Sequence, residues 1–170
     1  TIEGELDDIS GSGQTEAAKT EAARAWVALK FEAEDQAAML ALMGDVVRPL
    51  NAARLDAILW NSSRRAEATR LLPLLPADWQ ALAEARLALQ TDAKTAPALV
   101  SAVPKAVADD PGLAFDRFNY RMRKDNYADA AEMILSRSKT VEGLGIPANW
   151  AARRADLARI LMRQGEVKTA

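Results

Sequence analysis

Apolar residues in this chain recur at steps of three and four almost from end to end, and the alternation that marks a β-strand is nearly absent. A chain patterned this way buries its apolar stripes by laying helix against helix, so the expected fold class is all-α. Ala18, Ala22, Ala25, Trp26 and Leu29 share one helical face. A second segment, 35–43, is expected to stop at Gly44, a residue suited to a helix C-cap. After Pro49, Leu55, Ile58 and Leu59 share a face over 52–60, and Ser63 is the expected cap of a following helix bearing Ala68, Leu71, Leu72 and Leu75.

Proline and glycine divide the remainder. Pro73 is expected to disturb a last turn, and Pro76 to open a helix over 77–89 with Asp78 at its positive end. A short apolar helix over 95–103 ends at Pro104. Asp110-Pro111 reads as N-cap and first helical residue, sending Phe115, Phe118 and Met122 inward. Lys124-Asp125-Asn126 turns the chain into a helix carrying Tyr127, Ala130, Ala131, Ile134 and Leu135. Gly143 and Gly145 mark a loop, and Pro147 begins a last long helix with Trp150, Leu157, Ala158 and Leu161 aligned before Gly165.

Residues 54–68, 117–131 and 153–170 resemble one another: an inward-facing helix, a short polar turn, then a helix opening with small residues. That is the pattern of stacked helical hairpins. The spacing is irregular, 63 residues from Leu55 to Phe118 and 39 from Phe118 to Leu157. The expected architecture is therefore a degenerate, tetratricopeptide-like, right-handed superhelix (solenoid) over 15–170, after a flexible acidic lead-in at 1–14. The third hairpin stops at Ala170 with its second helix unfinished, so the superhelix is expected to continue beyond it.

The 170 residues contain no Cys and no His. Disulfides, thiol nucleophiles, imidazole bases and imidazole or thiolate metal ligands are thereby excluded. Lys and Arg total 22 against 24 Asp and Glu, a net charge of -2, which argues against nucleic acid as the main partner. No apolar run approaches the ~20 residues of a membrane span, and residues 1–14 lack the layout of a signal peptide.

Candidate groups each have a plain structural account. The carboxylates Asp7-Asp8, Glu32/Glu34/Asp35 and Asp109-Asp110 lie in the lead-in or at helix starts, where acids complement the dipole rather than cut glycosides. Gly11-Ser12-Gly13 follows no strand, so it is read as tail and not as a phosphate loop. Trp26, Trp60, Trp79 and Trp150 are assigned to packing in preference to sugar stacking. Arg117, Arg121, Arg123 and Lys124 suggest a basic stripe partly cancelled by Asp116 and Asp125. Arg153 and Arg154 beside Trp150 suggest an inter-helix anchor. No residue is assigned a catalytic, cofactor-binding or metal-binding role, and no cofactor is expected.

Several of these hairpins carry a family resemblance. Arg54-Leu55-Asp56-Ala57-Ile58-Leu59-Trp60, then 70–76 (Arg-Leu-Leu-Pro-Leu-Leu-Pro) and 82–89, resemble the superhelical part of bacterial soluble lytic murein transglycosylases. So do Ala102-Val103-Pro104 and the run 110–118. Residues 149–166, with Trp150, Arg153-Arg154, Leu157-Ala158-Arg159 and Gly165-Glu166, are similar to that family's Trp…Arg-Arg…Leu-Ala-Arg…Gly-Asp segment. The similarity spans roughly 17–170.

The resemblance implies a periplasmic protein whose parent cuts peptidoglycan glycan strands, leaving 1,6-anhydro-muramoyl ends. A lysozyme-like domain near the C-terminus does this with a Glu in a Glu-Ser pair, followed by a Gly-Leu-Met-Gln-type motif, and packs against the superhelix. This sequence has neither motif, so no catalytic residue is carried over and the segment alone is expected to be inactive. The implied partners are peptidoglycan, through the parent protein, and the catalytic domain; the alternative is a stand-alone helical-repeat module for protein–protein interaction.

Overall fold

A computed structural model describes the backbone from Ile2 and the side chains of residues 15–170; the side chains of the lead-in expected at 1–14 lie outside the described residues. All regular structure among the described residues is helical, as the apolar period requires. The chain divides into two compact units, Thr1–Pro76 and Ala77–Ala170.

The first unit comprises α1 (Ile2–Ala28), α2 (Ala33–Val47), α3 (Asn51–Leu59) and α4 (Arg65–Leu71), with 3-10 turns at Arg48–Leu50, Ser62–Arg64 and Leu72–Leu74. Helix α1 packs on α2 and α3, and α3 on α4. Their shared core is Trp26, Val47, Leu55, Ile58, Leu59, Ala68 and Leu71. Pro73 falls in the 3-10 turn that follows α4, where a missing N–H and a fixed φ are tolerated, so the expected disturbance occurs there.

Gly143 lies inside the helical turn Val141–Leu144 and not in a loop, and two boundaries also differ from expectation. Helix α2 runs past Gly44 to Val47, but its helical geometry breaks at Met43 (φ -128°, ψ 25°), so the segment expected over 35–43 ends in a kink next to Gly44 and not in a C-cap. Asn61 caps the 3-10 turn ahead of α4, its side chain accepting from the Ser63 N–H at 3.0 Å, and α4 itself starts after Arg64 with no side-chain cap. Ser63 instead donates its hydroxyl to the same Asn61 oxygen. Asn outranks or matches Ser as a cap, and the chain here uses the earlier residue.

The second unit comprises α5 (Ala77–Gln90), α6 (Ala96–Ala102), α7 (Pro111–Arg123), α8 (Tyr127–Arg137), a single turn α9 (Val141–Leu144) and α10 (Pro147–Arg163). Asp110 caps α7 as its sequence implies, accepting from Leu113 N–H at 2.6 Å with Pro111 behind it. Helix α7 has two buried faces. Leu113 joins Leu82, Ala85, Leu89 and Ala96 of α5 and α6. On the other side, Ala114 and Phe118 join Ala130, Ala131, Ile134, Trp150, Leu157 and Leu161 of α8 and α10. The turn into α8 places Asp125 at φ 56°, and Gly145 and Gly165 take positive φ after α9 and α10, where a Cβ would be strained.

Candidate functional site

The most strongly held side chains in the first unit surround a buried arginine. Arg54 of α3 is fully buried on the apolar face that also carries Leu55 and Ile58. Its guanidinium lies 4.3 Å from the Trp26 ring centroid and 4.8 Å from that of Phe31, and it pairs with buried Glu67 of α4. It also donates to the Trp26 and Leu29 carbonyls, satisfying the C-terminal end of α1.

Around this pair, Arg64 donates to Glu67 at 2.8 Å and to the Leu29 carbonyl, while Arg70 donates to the Phe31 carbonyl. The Phe31 N–H donates to Glu67. Trp26 donates its indole N–H to Asn51 at 3.2 Å, and Asn51 donates to the Leu74 carbonyl. Burial pushes the Glu67 carboxyl up, but the Arg64 and Phe31 hydrogen bonds and the charges of Arg54 and Arg64 outweigh it and hold it below its ordinary value. Burial lowers Arg54 to about 10, so it remains charged at neutral pH. These contacts hold the end of α1 and the α1–α2 connection against α3 and α4, and Asn51 ties α3 to the 3-10 turn that follows α4. None points a reactive atom into a cleft.

The second unit holds a similar centre. Arg86 of α5, almost fully buried, donates to Asp116 at 2.8 Å and to Asp110 at 3.4 Å; Gln90 donates to both Asp116 oxygens at 3.1 and 3.2 Å. The pair therefore ties α5 to the body of α7, and through Asp110 to its cap. Burial pushes the Asp116 carboxyl up to about 6, and Arg86 and Gln90 pull it down without overcoming that cost.

That shift carries a prediction. A folded value of about 6 against an ordinary 3.8 means that folding favours the protonated form. The contribution to stability is fully present below about pH 4 and is lost as pH rises through about 6. Asp116→Asn removes this proton. The stability difference between wild type and D116N should move against wild type by about 2.5 kcal/mol between about pH 4 and pH 8. Urea titrations at the two pH values read it, and a constant difference would refute the raised carboxyl.

The carboxylate clusters do not assemble. Asp109 pairs with Arg137 at 2.7 Å, Asp110 caps α7, and Glu32 pairs with Lys30 at 2.6 Å. Glu34 and Asp35 occupy the first turn of α2. The side chains of Asp7-Asp8 and Gly11-Ser12-Gly13 lie outside the described residues. Among the described residues no three acids gather at metal-binding distance. Trp26 and Trp150 are buried, and Trp79 packs against the α5–α7 core, in keeping with their assignment to packing; Trp60 is half-buried. Trp150 meets Phe115 and Phe118 at 5.1 and 5.3 Å and donates to the Leu144 carbonyl at 2.9 Å.

The suggested basic stripe is dispersed among separate partners. Arg117 is half-buried, and burial together with Arg121 and Arg137 lowers it. Arg121 lies 3.8 Å from Asp129, and Lys124 2.7 Å from Asp92. Arg153 reaches Asp156 and Arg154 donates to Ser138, so it is Arg154, through a hydroxyl of α8's C-terminal flank, that makes an inter-helix contact. Arg123 instead joins residues of α10. With Asn119 and Met122 of α7 it faces Arg153, Asp156, Arg159, Ile160 and Arg163 across an open groove of about 630 Å³.

A second groove, of about 640 Å³, runs between α1 and α2. It is apolar, lined by Ala22, Ala25, Leu29, Met39 and Leu42 among others, and Leu42 is 81% exposed. The face expected to turn inward along α1 is thus partly open: Ala22 and Trp26 are buried while Ala18 and Leu29 are not. Leu135 of α8, also expected inward, is exposed beside Leu157 and Leu161.

No family model, curated protein or solved structure matches this chain. No helix among the described residues is long and apolar enough to cross a membrane.

Proposed function

We propose that this chain is a non-catalytic helical scaffold from the superhelical part of a periplasmic soluble lytic transglycosylase, whose lysozyme-like domain cuts peptidoglycan to 1,6-anhydro-muramoyl ends. The observation that supports it best is the use made of residues 149–166, the stretch most similar to that family. Residues 149–163 of that stretch lie in α10, with Trp150, Leu157 and Leu161 buried against α7 and α8. The motif is thus a packing device, as a scaffold requires. The two centres richest in hydrogen bonds are internal helix clamps, which also suits a body that holds another domain in place.

Incubating the purified chain with purified sacculi, followed by chromatography of the soluble products, should release no anhydro-muropeptides. Release by this chain would overturn the scaffold assignment. Failure of the complete gene product to release them would overturn the family reading.

A second reading, a helical-repeat interaction module with no enzyme attached, is favoured by the apolar groove between α1 and α2. The gene beyond residue 170 separates the two. A lysozyme-like segment with a Glu-Ser pair belongs to the first reading, and an immediate stop codon to the second.

A further inference from the structure

The groove between α7 and α10 gathers four arginines, Arg123, Arg153, Arg159 and Arg163, against the single carboxylate of Asp156. The local charge is +3 in a chain whose net charge is -2. Two of these residues have ordinary reasons to be there. Arg123 and Arg163 lie in the last turns of their helices, where cations complement the dipole. Arg123 also donates to the Leu89 carbonyl at 2.6 Å.

Arg153 and Arg159 have no such account. They flank Asp156 at three residues on either side, at 3.9 and 3.1 Å, and their side chains are 53% and 64% exposed. A carboxylate accepts through two oxygens, whereas each guanidinium presents five N–H donors, so Asp156 leaves most of both forks unused. Arginines held in one groove also repel one another until an anion enters. Met122 and Ile160 add apolar surface between them.

We infer that this groove binds a small ligand bearing two or more oxyanion groups, its carboxylates or phosphates gripped by Arg153, Arg159 and Arg163. The guanidinium fork matches the planar geometry of a carboxylate and the edge of a phosphate equally well. A volume of about 630 Å³ is that of a small-molecule site. The overall negative charge of the chain disfavours a long polyanion such as nucleic acid, which needs a continuous cationic track. The inference does not depend on the peptidoglycan reading.

The test is isothermal titration of the full chain with citrate and, separately, with pyrophosphate, ionic strength being held constant with sodium chloride. At least one should bind saturably with Kd below about 1 mM. Citrate alone identifies a carboxylate ligand, pyrophosphate alone a phosphate ligand, and both the shared oxyanion chemistry. In the Arg153→Ala/Arg159→Ala double variant, whose truncated side chains are exposed, affinity should fall at least tenfold with an unchanged circular dichroism spectrum. Lys124→Ala, outside the groove, should bind as wild type does. No saturable heat with either anion, equal affinity in the double variant, or displacement of both anions by a single-stranded oligonucleotide would overturn the inference.

Discussion

Replacing Arg54 by Met should destabilise the first unit by about 3–5 kcal/mol, among the largest effects available to a single substitution here. The side chain is fully buried, and its volume is close to that of Met, so a cavity is not the main cost. The loss is electrostatic. Glu67, 2% exposed, keeps Arg64 at 2.8 Å and the Phe31 N–H but loses its buried partner. The carbonyls of Trp26 and Leu29 lose a donor, and the Trp26 and Phe31 rings lose the cation against them. Arg54→Lys should recover little, because a single ammonium does not reproduce a fork that serves Glu67 and two carbonyls at once. Arg54→Met/Glu67→Met should cost less than Arg54→Met alone, since the buried carboxylate is then gone and Arg64, the charge left without its partner, still donates to the Leu29 carbonyl. Hydrogen exchange of the α3 and α4 amides in increasing urea measures these differences within the first unit. A cost for Arg54→Met below about 1 kcal/mol would place the pair among ordinary surface contacts.

The helices were legible in the sequence because burial of an apolar stripe repeats every three to four residues whatever covers it. The cap at Asp110-Pro111, the 3-10 turn at Pro73 and the burial of Trp26 and Trp150 follow from local chemistry alone. Gly44 marked the place of a break but not its form: a C-cap glycine stops a helix where the backbone turns left-handed, whereas here the chain kinks at Met43 and continues helical to Val47. Leu29, Leu42 and Leu135 show a second limit: periodicity says which face is apolar but not whether a neighbour covers it. The buried arginines were missed although a signal existed. Arg54 stands four residues before Ile58, and Arg86 four after Leu82 and three before Leu89, both on apolar stripes. A charge at such a position needs a buried partner, and Glu67 beside Ala68 and Asp116 near Phe118 fit that need. The groove between α7 and α10 had no comparable signal, because Arg123 and Arg159 become neighbours only through tertiary packing.

Gly112→Ala is the substitution for which helix propensity and the structure predict opposite signs. Gly112 lies in the first turn of α7 with no positive φ, and exchanging glycine for alanine in a helix ordinarily gains up to about 1 kcal/mol. Here an added Cβ would stand 2.2 Å from Arg86 Nη1 and 2.3 Å from both Cζ and Nη2. The tip of an arginine usually swings aside at little cost, but this one is almost fully buried and held by Asp116 and Asp110. Moving it breaks the pair joining α5 to α7 and leaves Asp116 buried without its cation. A loss of about 3–5 kcal/mol is expected, measured at about pH 8 where Asp116 is ionised. In acid the loss should shrink, because protonation removes the stranded charge. The decisive comparison is made in an Arg86→Met background, where the obstructing guanidinium is gone. There Gly112→Ala should be neutral or mildly stabilising, so the coupling between the two substitutions, read from urea unfolding of the four proteins, should be large and favourable. Additive effects would mean that Gly112 is required for its backbone and not for the space it leaves to Arg86.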